Sequence, residues 1–371
     1  MKKLFKFLLF SIFALSICAA ALGYQYYNFL RTPLTPHPPS GHLLPEGEGN
    51  TGTVFVIPMG TPVYKIANNL VEAGILKSSN LFLLAVYANG SWNTLKAGEY
   101  LIKPGSMPLD LINQVRDGKV IQYALTIVPG WTFERLMLEI SGSSKIQHAL
   151  TGLSPAEIMA KLGHATEHPE GRFFPETYYY PAGTTDIAIL QRSYRDLQAK
   201  LSLLWNTKKT DSILKSAYDA LILASIIEKE SSVVDEYRDI AGVYTRRLAK
   251  NMPLQADPTV IYGAGKTYEG TKYNSNITKE MLNDQNPYNT YLKTGLPPTP
   301  IALPSAKALA AALDPKAGAT LYFVAKPDGK GHVFTENLTD HNFAVAEYRK
   351  TLVNTTLNST NNANTQTKST P

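Results

Sequence analysis

The chain opens on an apolar run from Phe7 to Leu22, broken only by Ser11 and Ser16 and preceded by Lys2, Lys3 and Lys6. It is slightly short of the ~20 residues that span a bilayer, so a cleaved signal peptide competes with a retained anchor. Ala19, Ala20 and Ala21 would supply a small-residue cleavage site. A lipidated Cys18 is set aside, because Ile17 precedes it where a small residue is needed. Tyr24, Tyr26 and Tyr27 follow as an interfacial aromatic belt would, and the stretch stays helix-compatible to Leu30, which favours an uncleaved single-pass anchor. Lysines before the run and only Arg31 soon after it put the N-terminus in the cytoplasm and the bulk of the chain outside.

After this anchor (1–30) the pattern changes. Residues 31–50 are rich in proline and glycine and read as an extended linker. Thr53–Pro58 alternates like a strand, with Val54 and Val56 on one side and Phe55 and Ile57 on the other. Thr61 is the expected cap and Pro62 the first residue of a helix striped by Ile66, Leu70 and Val71 and stopped at Gly74. A second helix is expected over Ser79–Tyr87 and a returning strand over Leu95–Lys103. This strand–helix–helix–strand order over 51–120 resembles a LysM-like module. Residues 121–352 mix long helical patterns with short strands (Leu321–Ala325, His332–Phe334), which makes a larger α+β domain. The Asn/Thr/Ser-rich stretch 353–371 cannot bury a core and reads as a disordered tail. The fold class is α+β: anchor, small βααβ module, larger catalytic domain.

Composition narrows the function. Of 371 residues 44% are hydrophobic and 18% charged, enough for a real core. The net charge of +6 falls to +2 once the four basic residues of 1–40 are set aside, so nucleic-acid binding loses its electrostatic argument. A single cysteine excludes disulfide frameworks and multi-cysteine metal sites.

Two local motifs attract and fail. Gly263-Ala264-Gly265-Lys266-Thr267 resembles a phosphate loop, but the pattern needs glycine at position 260, where Val260 stands. His164-Ala165-Thr166-Glu167-His168 matches the H-x-x-E-H string of inverted zinc peptidases, which needs both imidazoles on one helix face. Gly163 before it and Pro169 after it argue for a polar turn instead. His332 and His341 read as ordinary hydrogen-bonding side chains.

The most informative stretch is Ser216–Met252, helical in period although Ser231 and Ser232 are points where it would kink or restart. At about 100° per residue, Leu223, Ile226, Ile227, Val233 and Val234 fall within about 60° of Glu230, whereas Glu228 lies about 160° away on the polar side. A carboxyl on an apolar face keeps its proton toward neutral pH, the state a general acid needs. The alternative is a core-edge glutamate bonded to a backbone amide or paired with Arg246 or Arg247. Downstream, Gln255, Asp257, Tyr288, Asn289 and Tyr291 offer the amides and aromatic faces that a sugar site uses, although a proline-rich loop whose tyrosines merely pack has the same composition.

The strings ASIIEKES (224–231), LQADPTVIYG (254–263), YNTY (288–291) and TGLPPTPI (294–301) together resemble the YceG-like family of endolytic murein transglycosylases. EGRFFPETYYY (170–180) and LYFVAKPDGKGHVF (321–334) extend the likeness in the family's order. Ser305, where glycine commonly follows proline, and Glu176, where aspartate is usual, depart from it. The resemblance implies an enzyme of the bacterial inner (cytoplasmic) membrane with its catalytic domain on the periplasmic side. It would cut the MurNAc-β-1,4-GlcNAc bond of nascent peptidoglycan strands and leave a 1,6-anhydro-MurNAc end. Glu230 would be catalytic, with Gln255, Asp257 and Asn289 positioning the sugar or Glu230 and Tyr288 and Tyr291 as walls. No cofactor or metal is required, and peptidoglycan synthases are the expected partners beside the glycan strands. The competing readings are a non-catalytic peptidoglycan-binding tether and a zinc peptidase built on His164 and His168.

Overall fold

The computed structural model describes residues 2–34, 52–208, 212–265 and 277–351. Most of the expected linker, the tail and the Lys266-Thr267 end of the phosphate-loop fragment lie outside the described residues. The chain divides into two compact units, Met1–Tyr123 with Tyr179–Gly183, and Ala124–Tyr178 with Thr184–Pro371.

In the first unit the apolar run forms one helix, α1 (Lys2–Arg31), long and apolar enough by length and composition to cross a membrane. Its last turns belong to the folded unit: Phe29 and Leu34 are buried in one core with Phe55, Ile57, Leu70 and Phe82, and the Leu34 N–H donates to the Ser106 carbonyl at 2.8 Å. The expected linker therefore does not begin at residue 31. Then come β1 (Thr53–Ile57), α2 (Val63–Glu72), α3 (Ser79–Ala88), β2 (Gly98–Ile102) and α4 (Pro108–Asp117). The strands pair antiparallel, Thr53 opposite Ile102 and Ile57 opposite Gly98. α2 starts one residue later than expected. Pro62 occupies the cap position, and the Thr61 hydroxyl instead donates to the Pro58 carbonyl at 2.8 Å.

The second unit is mostly helical. Short strands β3 (Tyr123–Thr126) and β5 (Thr177–Tyr180) pair, as do the parallel β4 (Ile146–Gln147) and β6 (Thr184–Thr185) and the antiparallel β7 (Tyr322–Ala325) and β8 (His332–Thr335). Around them lie α5 (Phe133–Ser141), α6 (Pro155–Leu162), α7 (Asp186–Thr207), α8 (Ala217–Glu230), α9 (Tyr237–Ala249), α10 (Asp257–Gly263), α11 (Lys279–Asn283) and α12 (Ala306–Leu313), with a final helical stretch over 338–351. α8 is the central element. Every residue from Ala220 to Ile227 is buried, all but Ser225 apolar, so the helix is enclosed on all sides and packs against α7, α9, α10 and α12. A capping box starts it: the Ser216 hydroxyl accepts from the Asp219 N–H at 3.1 Å, and the Asp219 carboxylate accepts from the Ser216 N–H at 3.2 Å.

The long helix expected over Ser216–Met252 is two. Ser231 is extended, and its hydroxyl accepts from the Val233 N–H at 3.0 Å, offering the backbone a partner outside the helix. A short 3-10 turn, Val234–Glu236, leads into α9. Val233 and Val234 thus leave the helical stripe on which the periodicity placed them, and Val234 is exposed.

Candidate active site

The break at Ser231 makes Glu230 the last residue of α8. The helix behind it is apolar, and the negative end of the helix dipole disfavours a second negative charge there. Burial pushes the Glu230 carboxyl up to about 8, with the charge of Asp257 adding to the rise and the Tyr244 hydrogen bond and Arg247 opposing it. The residue as a whole is half-buried. Tyr244 donates its hydroxyl to Glu230 Oε1. Among the described residues no donor is bonded to Oε2.

Glu228, two residues earlier, is gripped rather than solvated. Its Oε1 accepts from the Tyr237 hydroxyl at 3.2 Å, and its Oε2 accepts from the Ser305 N–H at 2.9 Å and the Ser305 hydroxyl at 2.6 Å. The serine that departs from the family pattern is therefore a direct partner of this carboxylate. It also caps α12 through Ala308 N–H at 3.2 Å. Glu176, the other departure, accepts from its neighbour Thr177 N–H at 3.0 Å.

Arg247 supplies the site's buried cation, though not as an ion pair. Its Nε donates to the Leu321 carbonyl at 2.7 Å. Its Nη1 donates to the Leu254 carbonyl at 2.8 Å and to Gln255 Oε1 at 3.1 Å. Its planar face lies over the Tyr322 ring, 5.0 Å from the centroid. Arg246 points elsewhere, to Thr320 and the Lys316 carbonyl. The Leu254 carbonyl and the Gln255 side chain that Arg247 holds belong to the approach to α10, where Gln255 has φ at +53°, a left-handed value that a side chain rarely adopts.

Thr290 brings the two distant strings together. Its carbonyl accepts from the Gln255 N–H at 3.0 Å, its hydroxyl accepts from the Ala256 N–H at 3.0 Å, and its hydroxyl meets that of Thr259 at 2.8 Å. Tyr291, beside it, donates to Asp257 Oδ1 at 2.6 Å. Glu230, Asp257, Tyr291, Tyr244 and Arg247 thus form one electrostatic group, each felt by Glu230 or by its neighbours. Gln255 and Asp257 are exposed beside it. Tyr288 is half-buried, with its hydroxyl 2.8 Å from that of Thr299 and its ring edge-on to Tyr262, 5.0 Å between centroids.

Asn289, expected to position the sugar or Glu230, has its side chain turned into the protein. It is fully buried, and its side-chain nitrogen donates to the carbonyls of Leu282 at 2.9 Å and Asp284 at 2.7 Å, with Met281 at 3.3 Å. Its oxygen accepts from the Tyr291 N–H at 3.1 Å. The side chain is spent on holding the loop that presents Tyr291.

Two residues went unnoticed in the sequence as site groups. Tyr244 lies seven residues after Tyr237 on the buried face of α9, and a buried tyrosine hydroxyl seeks a partner, which is the signal available. Glu170 is 4% exposed, accepts from the Phe133 N–H at 3.0 Å and the Tyr262 hydroxyl at 3.1 Å, and is pushed by burial up to about 7. Gly171 after it has φ +77°, and a Cβ there would collide with Pro300. The histidines of the H-x-x-E-H string face apart in function: His164 stacks on Tyr194 at 3.9 Å, and His168 Nδ1 accepts from the Glu170 N–H at 3.2 Å. Among the described residues no three His, Cys, Asp or Glu side chains converge as a metal site would require.

A model of the YceG-like family matches residues 55–347. The chain is 31% identical to the endolytic murein transglycosylase of Bacillus subtilis (strain 168) over 329 residues, 82% of this chain and 86% of that protein. It is 29% identical to that of Streptococcus pneumoniae R6 over 351 residues, 85% of this chain and 61% of the longer streptococcal protein. The crystal structure of a YceG-like protein from Listeria monocytogenes superposes with a TM-score of 0.52 at 27% identity, over 79% of this chain and 99% of that one.

Proposed function

The chain belongs to the YceG-like family, and from that premise we propose that it is an endolytic murein transglycosylase whose general acid is Glu230. The bond cut is MurNAc-β-1,4-GlcNAc within nascent peptidoglycan strands. The observation that carries this reading is a single carboxyl on the last residue of an apolar helix, raised to about 8 and, among the described residues, bonded to a donor at one oxygen only. Such a group is protonated at neutral pH and still reaches substrate.

Glu230 gives its proton to the leaving glycosidic oxygen as the bond to the MurNAc anomeric carbon breaks. The resulting carboxylate takes the proton from the MurNAc 6-hydroxyl, whose oxygen closes on that carbon to form the 1,6-anhydro ring. No water is consumed. A paired-carboxylate hydrolase would need a second free carboxylate or an activated water. Asp257 is the nearby candidate, and it already accepts from Tyr291, which favours a role in orienting the loop and raising Glu230. Gln255, Tyr288 and Tyr291 are proposed to contact sugar, with Asn289 acting through Tyr291.

The apolar α1 supports a single-pass anchor in the cytoplasmic membrane, with the chain after it on the outer side, where nascent strands and the peptidoglycan synthases that make them are found. The strand–helix–helix–strand order of β1 to β2 is compatible with a LysM-like glycan-binding module.

Mass spectrometry of products from purified glycan strands in heavy-oxygen water tests the chemistry. Anhydro ends lighter by one water, without label, and a mixture of internal fragments are expected. Labelled reducing ends would mean that Glu230 works with water, and release of no soluble fragment would favour a non-catalytic tether.

A further inference from the structure

Glu230 and Tyr244 meet in a way that reaches beyond the choice of acid. We propose that Tyr244 is a positioning residue for the Glu230 reaction: its hydroxyl, donating to Glu230 Oε1, holds the reactive proton on Oε2 and stabilises the carboxylate left once that proton has moved. The inference rests on Glu230 being the general acid.

The geometry is fixed before substrate arrives. Tyr244 is 1% exposed, and its ring packs edge-on against Phe323 at 5.8 Å between centroids. Burial and the neighbouring Glu230 push its hydroxyl well above the usual tyrosine range, so it keeps its proton and acts only as donor. A protonated carboxyl that accepts a bond on Oε1 carries its own hydrogen on Oε2. Among the described residues that is the oxygen without a bonded donor, and so the one whose hydrogen is free to pass to the leaving group.

The groups facing Glu230 come from three elements: Tyr244 and Arg247 from α9, Asp257 from the head of α10, and Tyr291 from the loop after α11. Arg247 is committed to the Leu254 and Leu321 carbonyls and to Gln255, and Tyr291 to Asp257. That leaves Tyr244 as the hydrogen-bonding partner of Glu230 among the described residues. A bond to an ionised oxygen is stronger than one to a neutral carboxyl, so this contact strengthens as Glu230 releases its proton. Interactions that grow toward the transition state accelerate the step, whereas uniform ones do not. Tyr244 keeps its own proton throughout, and only the glutamate's proton changes owner.

Tyr237 supplies the control. It lies two turns earlier on α9, is similarly buried at 4%, and donates to Glu228 instead. The test compares Tyr244→Phe with Tyr237→Phe in the full-length, detergent-solubilised protein, following fragment release from glycan strands between pH 5 and 10. Tyr244→Phe should lower kcat at pH 6 by about 10-fold with little change in KM, and move the alkaline limb of the kcat profile upward by about one pH unit. The sign follows from the lost donor: the ionised form loses its stabilisation, and Glu230 keeps its proton to higher pH. Tyr237→Phe should leave kcat within about twofold and the limb in place. Fluorotyrosine at position 244, a stronger donor that keeps the shape, should move the limb downward, and it covers the case in which the phenylalanine variant fails to fold. An alkaline limb that neither change moves, or a loss of rate equal at every pH, would overturn the positioning role. Wild-type activity in Glu230→Gln would instead remove the acid assignment on which it rests.

Discussion

The two glutamates at the end of α8 are the same residue type, two positions apart, on one helix, and their surroundings differ completely. Around Glu228 the protein satisfies both oxygens with three donors from α9 and the head of α12, which ties those helices to α8. Around Glu230, among the described residues, it supplies one donor, to one oxygen, and a nearby acidic group. A carboxylate bonded at both oxygens is a strut, because breaking those bonds would leave buried donors unpaired. One that is buried, flanked by another acid and only partly bonded is held in its neutral form, ready to give the proton away. Reactivity here comes from what the fold withholds.

The sharpest break in this contrast is exchange of the two side chains' chemistry. Glu230→Gln should lose about 10³-fold or more of strand cleavage with the fold retained. Glu228→Gln should stay within about tenfold in rate yet lower the melting temperature, since it weakens charge-assisted bonds worth about 1–3 kcal/mol. Activity assays paired with thermal melts separate the outcomes, and equal loss of rate in two folded variants would erase the distinction.

A second expectation concerns stability against pH. The folded-state value of Glu230, about 8, stands above the ordinary 4.5, so the folded protein binds more protons than the unfolded chain between those values. The stability attached to the neutral carboxyl is complete below about pH 4 and is lost as pH rises through 8. Glu230→Gln should therefore match the wild type at pH 4 and exceed it at pH 9 by about 2–3 kcal/mol, allowing for the group's partial exposure. Urea titrations at the two pH values read this directly, and a difference independent of pH would count against the raised value.

The smallest effect belongs to the strut. Ser305→Ala removes the hydroxyl that bonds Glu228 at 2.6 Å and caps α12, and should cost about 1 kcal/mol with cleavage unchanged. Calorimetry measures the first and fragment release the second. A rate loss matching that of Glu230→Gln would show that the two corners are not independent.

Much of this was legible along the chain. The apolar run of α1, the order of elements in the first unit and the carboxyl set against the α8 core all follow from local pattern, because side-chain period and turn chemistry act over a few residues. The same local view misread what depended on distant partners. Periodicity carried the helix past Ser231 and counted Val233 and Val234 in its stripe, since it cannot weigh a serine hydroxyl's bond to the Val233 N–H against one more helical turn. It places Glu228 on the polar side of the helix without naming its partners, because Ser305 and Tyr237 reach it only after folding. Asn289 looked like a sugar ligand by composition, and only the backbone carbonyls around it reveal a loop holder. By itself the sequence determined which groups are available and which face of α8 is apolar, for those are short-range properties. Tertiary structure alone decided that Thr290 would stitch the Gln255–Thr259 segment to the Tyr288–Tyr291 loop and that Tyr244 would meet Glu230, because hydrogen-bond geometry between segments tens of residues apart exists only once the core has packed.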